Sequence, residues 1–212
     1  SPKALNEFTD IVMGFVDKPD SEEPDRKSVQ QQLQKFLIGK TSNDNEKNNP
    51  FAINLYLLGY DANGKLDSQL NQAVKENLKT YLNEYKVLTD GVNISDGYII
   101  NIGINFEVIT LKNYNNSEVV TECINEMKDY FDINNWTFNN TINISELELL
   151  LANVDGVSSV PKLEIVNKCH GNYAPNSYNI EAAIKDKILY PSLDPSVFEI
   201  KFPDVDIKGR AK

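Results

Sequence analysis

A single histidine, His170, and two cysteines, Cys123 and Cys169, stand in a chain of 212 residues. With one imidazole, neither a multi-histidine metal site nor a serine–histidine pair can be assembled unless another chain supplies part of it. Two cysteines are too few for a stapled secreted scaffold, and their spacing does not suggest zinc, so a reducing compartment is expected. Long apolar runs are lacking too: residues 51–60 and 98–111 are interrupted by Asn, Gly or Glu and fall short of the ~20 residues a membrane helix needs. No membrane insertion is expected. Neither a GxGxxG nor a P-loop occurs among the 10 glycines, so no nucleotide-cradling loop and no cofactor are expected. Basic residues are outnumbered, 21 Lys and Arg against 31 Asp and Glu, for a formal charge of -10. That balance argues against nucleic acid, whose sequence-independent affinity comes from cations neutralising phosphates. The chain opens on Ser1 with no apolar signal region, which leads to the expectation of a fragment of a longer polypeptide.

Asparagine is abundant, at 27 positions, and by itself implies no chemistry. Helical spacing of apolar residues predicts one helix over 4–16 and another over 29–37, followed by the wholly polar segment Lys40 to Pro50, a solvated linker. Residues 51–60 read as a strand, Asn63-Gly64 as a turn, and Leu70 to Tyr85 as one amphipathic helix. A short strand over 87–94 and the turn residues Asp96-Gly97 predict a hairpin into Tyr98 to Leu111. There Ile100, Ile102, Ile104, Phe106 and Val108 share one face, and Asn101, Gly103, Asn105 and Glu107 the other. Ser117 can cap a helix to Phe131 whose buried side carries Val120, Cys123, Ile124 and Met127; Ser145 and Glu148 make a capping box for a shorter helix; residues 157–166 form a last strand. This order predicts an α+β chain with a ferredoxin-like, split βαβ core. It divides into an N-terminal helical segment and linker (1–49), an α/β sandwich (50–167) and an extended tail (168–212) with a short helix and a strand over 197–202.

Few residues invite a catalytic reading. Cys169 and His170 are adjacent, and neighbours on an extended chain point to opposite sides, which favours an ordinary loop pair over a nucleophile with its base. Cys123 lies on the apolar stripe of its helix and is expected in the core. The acidic run Asp17 to Asp25 lacks calcium-loop spacing, and the Asn-x-Ser/Thr triplets at 93, 135 and 143 carry no weight without a secretory signal. The polar face of the long strand is wrong for RNA. No catalytic residue and no metal ligand is therefore expected. The candidates that remain concern contact. Trp136 is either a helix-end core residue or a partner anchor, and Phe198, Ile200 and Phe202 give the tail strand one apolar face that must pack on the domain or on a neighbouring chain. These four are the candidate interface residues. A ligand- or host-surface-binding module is the alternative, using Tyr173, Tyr178 and Trp136 around a groove.

Across residues 51–167 the stretches LNQAVKENLKTYL, GVNISDGYIINIGINFEV, VVTECINEMKDYF and ISELELLLANVDGVSSVPKLEIV follow in an order and spacing that resembles the C-terminal part of the baseplate J-like family of contractile-tailed phages. The tail FEIKFPDVDIKGRAK and the asparagine-rich style are similar, more narrowly, to inner-ring baseplate wedge proteins of T-even phages. The resemblance implies a structural virion protein without catalytic residues. It also implies a homodimer or ring-forming self-association that joins neighbouring wedges, with other baseplate wedge proteins as partners.

Overall fold

A computed structural model describes residues 53–61, 63–67, 71–85 and 92–212. The two N-terminal helices, the 40–50 linker, the acidic run and the start of the 87–94 strand lie outside the described residues. The described chain passes through β1 (Ile53–Leu57), β2 (Gly59–Tyr60), β3 (Leu66–Asp67), α1 (Gln72–Tyr85) and β4 (Val92–Asp96). It then enters β5 (Tyr98–Thr110), α2 (Asn116–Tyr130), β6 (Ile142–Asn143), α3 (Ile144–Ala152) and β7 (Val157–Asn167). The last part contains α4 (Ile180–Ala183), β8 (Ile184–Lys185), β9 (Ile188–Leu189), β10 (Ser196–Glu199), α5 (Pro203–Asp206) and β11 (Ile207–Ala211).

The architecture is mixed, with helices and several sheets, as an α+β chain requires. The split βαβ pairing is not the one found. In that arrangement the strands flanking α1 are separated by a third, whereas β1 and β4 pair directly and in parallel, Ile53 opposite Val92 through Leu57 opposite Asp96. The expected hairpin at Asp96-Gly97 is replaced by a strand that runs almost straight on. The Gly97 amide donates to Leu57 O at 2.8 Å and the Tyr98 amide donates to Pro195 O at 3.0 Å. Successive amides thus serve neighbours on opposite edges, as extended backbone does. Gly97 is needed for a different reason: a Cβ there would lie 2.5 Å from the ring of Phe138. The other Gly turn forms as expected, with Gly64 at φ +73° and the Asp61 carboxylate accepting from the amides of Asn63 (2.8 Å) and Lys65 (2.9 Å).

β5 organises the rest. One edge carries β7 antiparallel, from Ile102 opposite Asn167 to Thr110 opposite Val157. The other edge is shared end to end by two parallel strands of the tail: β10 beside 98–101 and β11 beside 104–108. Between them the chain steps out through Ile200–Asp206 and returns. The segment 168–212 is therefore not an appendage with its own packing problem; it completes the main sheet. Its strand is also shorter than 197–202, ending at Glu199.

The alternation on β5 holds. Ile100, Ile102, Ile104, Phe106 and Val108 are all buried and cluster with Cys123, Met127, Leu147 and Leu151 from α2 and α3, each such side chain contributing about 1.5–3 kcal/mol when fully removed from water. Leu78 and Leu82 of α1 make a second, smaller cluster with Leu55, Leu57 and Val92. The buried residues of α2 are Val119, Cys123 and Met127, so its core-facing stripe is turned slightly from the one read off Val120 and Ile124. Both expected serine caps shift to an asparagine just upstream. Asn115 Oδ1 accepts from the Ser117 amide at 3.1 Å, and Asn143 Oδ1 from the amides of Ser145 (3.0 Å) and Glu146 (3.4 Å). Glu148, the other half of the expected capping box, instead accepts from Lys187 Nζ at 2.7 Å. Asparagine and serine oxygens cap a helix about equally well, so the residue that reaches extended backbone first takes the position.

Candidate interaction surfaces

Three of the four candidate interface residues are inside the chain. Trp136 is 6% exposed, stacks on Phe131 at 5.2 Å, and its Nε1 donates to Tyr130 O at 3.1 Å. Phe198 and Ile200 are 2% and 4% exposed. None of these three side chains is presented to a partner. For Phe198 the reason lies in β10: the surface it needs is the chain's own β5 and the Tyr178 ring, 6.2 Å from its own. Phe202 differs. It is 37% exposed, its ring packs edge-on against Tyr173 at 5.5 Å, and Val205 one turn on is 58% exposed, so these residues form a small apolar patch over α5.

Cys169 and His170 form a loop closure. His170 sits at φ +67°, its amide donates to Ala174 O at 3.3 Å, and its carbonyl accepts from the Tyr173 amide at 3.2 Å. Cys123 is fully buried, as expected, and burial pushes its thiol up to about 11, away from the thiolate a nucleophile needs.

A buried polar hub lies on the other face of β5, and periodicity alone did not reveal it. Asn101 is 1% exposed and Glu199 3%. The Asn101 side chain donates from Nδ2 to Glu199 Oε2 at 2.8 Å and accepts at Oδ1 from the Ala174 amide at 2.7 Å. Its carbonyl accepts from the Lys168 amide at 2.8 Å and from Asn167 Nδ2 at 3.0 Å. Glu199 Oε1 accepts from the Leu66 amide at 2.8 Å, tying the β2–β3 turn to the tail. Burial pushes the Glu199 carboxyl up, and these two hydrogen bonds oppose it. Nearby, Asp206, 1% exposed, accepts from the Phe202 amide at 3.0 Å and from Tyr173 OH at 2.6 Å. The hydrogen bond to Asp206 is the main cause that raises the Tyr173 phenol to about 12. The hub's contacts join β5 to β10 and to the end of β7, tie the 168–176 loop and the β2–β3 turn to those strands, and tie that loop to α5, which makes it a fastening. An amide and a carboxylate embedded in apolar runs were the only signal for it in the sequence.

Farther along the same face the sheet opens to solvent. Glu107 stands between Lys162 of β7 and Arg210 of β11, and Asn105 between Glu164 and Lys208. These residues border a shallow cleft of about 310 Å³. Glu107 accepts from Arg210, lies 3.4 Å from Lys212 Nζ, and its carboxyl is held below the usual range, chiefly by the Arg210 hydrogen bond. Its folded pKa is thus below its unfolded one, so its contribution to stability is present above the unfolded value and lost as pH falls through the folded value. Glu199 has the opposite sign: raised on folding, it contributes fully below its unfolded value and loses that contribution as pH rises through its folded one. Glu107→Gln should therefore flatten the fall in stability below about pH 4.3, read from urea midpoints across a pH series, and leave the slope above it unchanged.

Among the described residues no group of three or more His, Cys, Asp or Glu is placed to hold a metal ion. No described helix is long and apolar enough to cross a membrane. No protein-family model matches the chain, and no curated protein sequence does.

Proposed function

We propose that this chain is a structural component of a contractile-tail baseplate wedge, one that self-associates and links neighbouring wedges into the inner ring during tail assembly. Its place would be the virion, assembled in the host cytoplasm. The observation that carries the proposal is the resemblance of residues 51–167 to the baseplate J-like family, and of FEIKFPDVDIKGRAK at the end to inner-ring baseplate wedge proteins of T-even phages. The fold is compatible with it: β11 and the second half of β10, which belong to that end segment, lie in register on β5 from the earlier one. A part that transmits load gains from such an arrangement, because separating the tail means breaking two ladders as well as exposing Phe198 and Ile207. The buried polar groups Asn101, Glu199 and Asp206 are engaged in internal fastening. A ligand-binding module would need Tyr173, Tyr178 and Trp136 free around a groove. Their polar atoms donate instead to Asp206, to Tyr190 O at 2.7 Å and to Tyr130 O.

Immunogold labelling of purified contractile-tailed particles from the source system, with an antibody raised against this chain, tests the proposal. Label concentrated at the distal end of the tail is the expected result. Unlabelled particles with proven epitope access would exclude a virion role.

A further inference from the structure

We infer that the outer edge of β7 is a self-recognition surface, on which a second copy of this chain adds its own β7 antiparallel about a two-fold axis through Leu163. Among the described residues β7 pairs only with β5. Ile102 lies opposite Asn167 and the Lys168 amide donates to Asn101 O. This fixes the phase of the ladder: alternate residues from Val166 bond to β5, and Leu163 and Ile165 turn their amides and carbonyls outward. An edge of this kind is a template for another strand.

The sequence on that edge, Val160-Pro-Lys-Leu-Glu-Ile-Val166, is self-complementary when run antiparallel. With Leu163 opposite the partner's Leu163, the two exchange a reciprocal pair of backbone hydrogen bonds. Lys162 then stands opposite the partner's Glu164, and Glu164 opposite the partner's Lys162, in the closely spaced positions where cross-strand side chains interact most. Val160 meets the partner's Val166. Moving the axis by one residue either way sets Lys162 against Lys162 or Glu164 against Glu164, which is destabilising, so charge selects the register as well as the partner. Lys162 and Glu164 are available for this. Within the chain they bridge each other at 2.8 Å with side chains 50% and 49% exposed. Pro161, at the register shift on β7, faces the partner's Ile165 and has no amide to donate to it, so the ladder is one hydrogen bond short on each side of the axis and ends there.

The contact is short compared with the roughly 1,600 Å² of a stable dimer. Association through it is therefore weak and reversible, and gains strength where several copies are held together. The inference goes beyond the baseplate proposal and stands without it, because its outcome in solution does not depend on where the protein resides.

Sedimentation velocity over a concentration series at low ionic strength tests it, with thermal melts confirming that each variant is folded. Wild type should show a reversible monomer–dimer equilibrium. Lys162→Glu and Glu164→Lys, each alone, place like charges across the axis and should weaken association about ten-fold or more. The double exchange Lys162→Glu/Glu164→Lys restores opposite charges in both chains and should recover the wild-type equilibrium. A purely structural effect of the single changes would not be reversed by the double exchange in association while being absent from the melts. A wild-type chain that stays monomeric throughout, or a dimer indifferent to both single changes, would overturn the inference.

Discussion

Phe198→Ala should lower the free energy of unfolding by about 3–5 kcal/mol, the range for truncating a buried phenylalanine. Phe198 is among the largest fully buried side chains. It lies opposite Ile100 in the β10–β5 ladder, and Tyr178 packs edge-on against it. The void left by the ring would sit between a short strand and the middle of the sheet, where neither side can collapse without breaking its ladder. β10 is paired through only four residues, so the loss should appear also as local opening of the tail. Urea denaturation measures the effect. The same truncation at Phe202, which is 37% exposed, should cost far less. An unchanged urea midpoint for Phe198→Ala together with a loss of self-association would instead place Phe198 at a joint between chains.

Asn101→Ala should cost about 3 kcal/mol or more. The substitution removes the donor to Glu199 Oε2 and the acceptor for the Ala174 amide, stranding both groups in the interior. An unsatisfied buried partner costs about 1–3 kcal/mol, and more when charged. A double-mutant cycle with Glu199→Ala separates this from ordinary loss of packing. Once Glu199 is gone its carboxylate can no longer be stranded, so the combined variant should lose clearly less than the sum of the two single losses. Additive losses would mean that the Asn101–Glu199 hydrogen bond is not a fastening of the tail.

What could be read in advance was what depends on period. The apolar face of β5, the helices α1 to α3, β7 and the Asn63-Gly64 turn all follow from spacing, because burial of one face imposes a repeat that the side chains must keep. Pairing partners do not follow from it. Asp96-Gly97 has hairpin composition, yet Gly97 is used for the close approach of Phe138, and no local pattern distinguishes these two uses of a missing Cβ. Phe198, Ile200 and Phe202 announced a face that had to be covered without announcing that β5 would cover it. The opposite side of the strand, Val197 and Glu199, is buried as well, which alternation had reserved for solvent. Asparagine, passed over as composition, turns out to cap α2, α3 and α4 through Asn115, Asn143 and Asn179. It also fills the hub at Asn101 and Asn167. These roles depend on which backbone groups are left unpaired, and that becomes known only with the fold.

Everything proposed for the tail depends on residues 196–199 and 207–211 being strands of the main sheet. Native-state hydrogen exchange read amide by amide tests this most directly. If β10 and β11 are paired to β5, amides in 196–199 and 207–211 that bond to it should be strongly protected, those of β11 exchanging with the same opening free energy as the β5–β7 ladder. Rapid, loop-like exchange across both segments, with the β5–β7 ladder still protected, would contradict it.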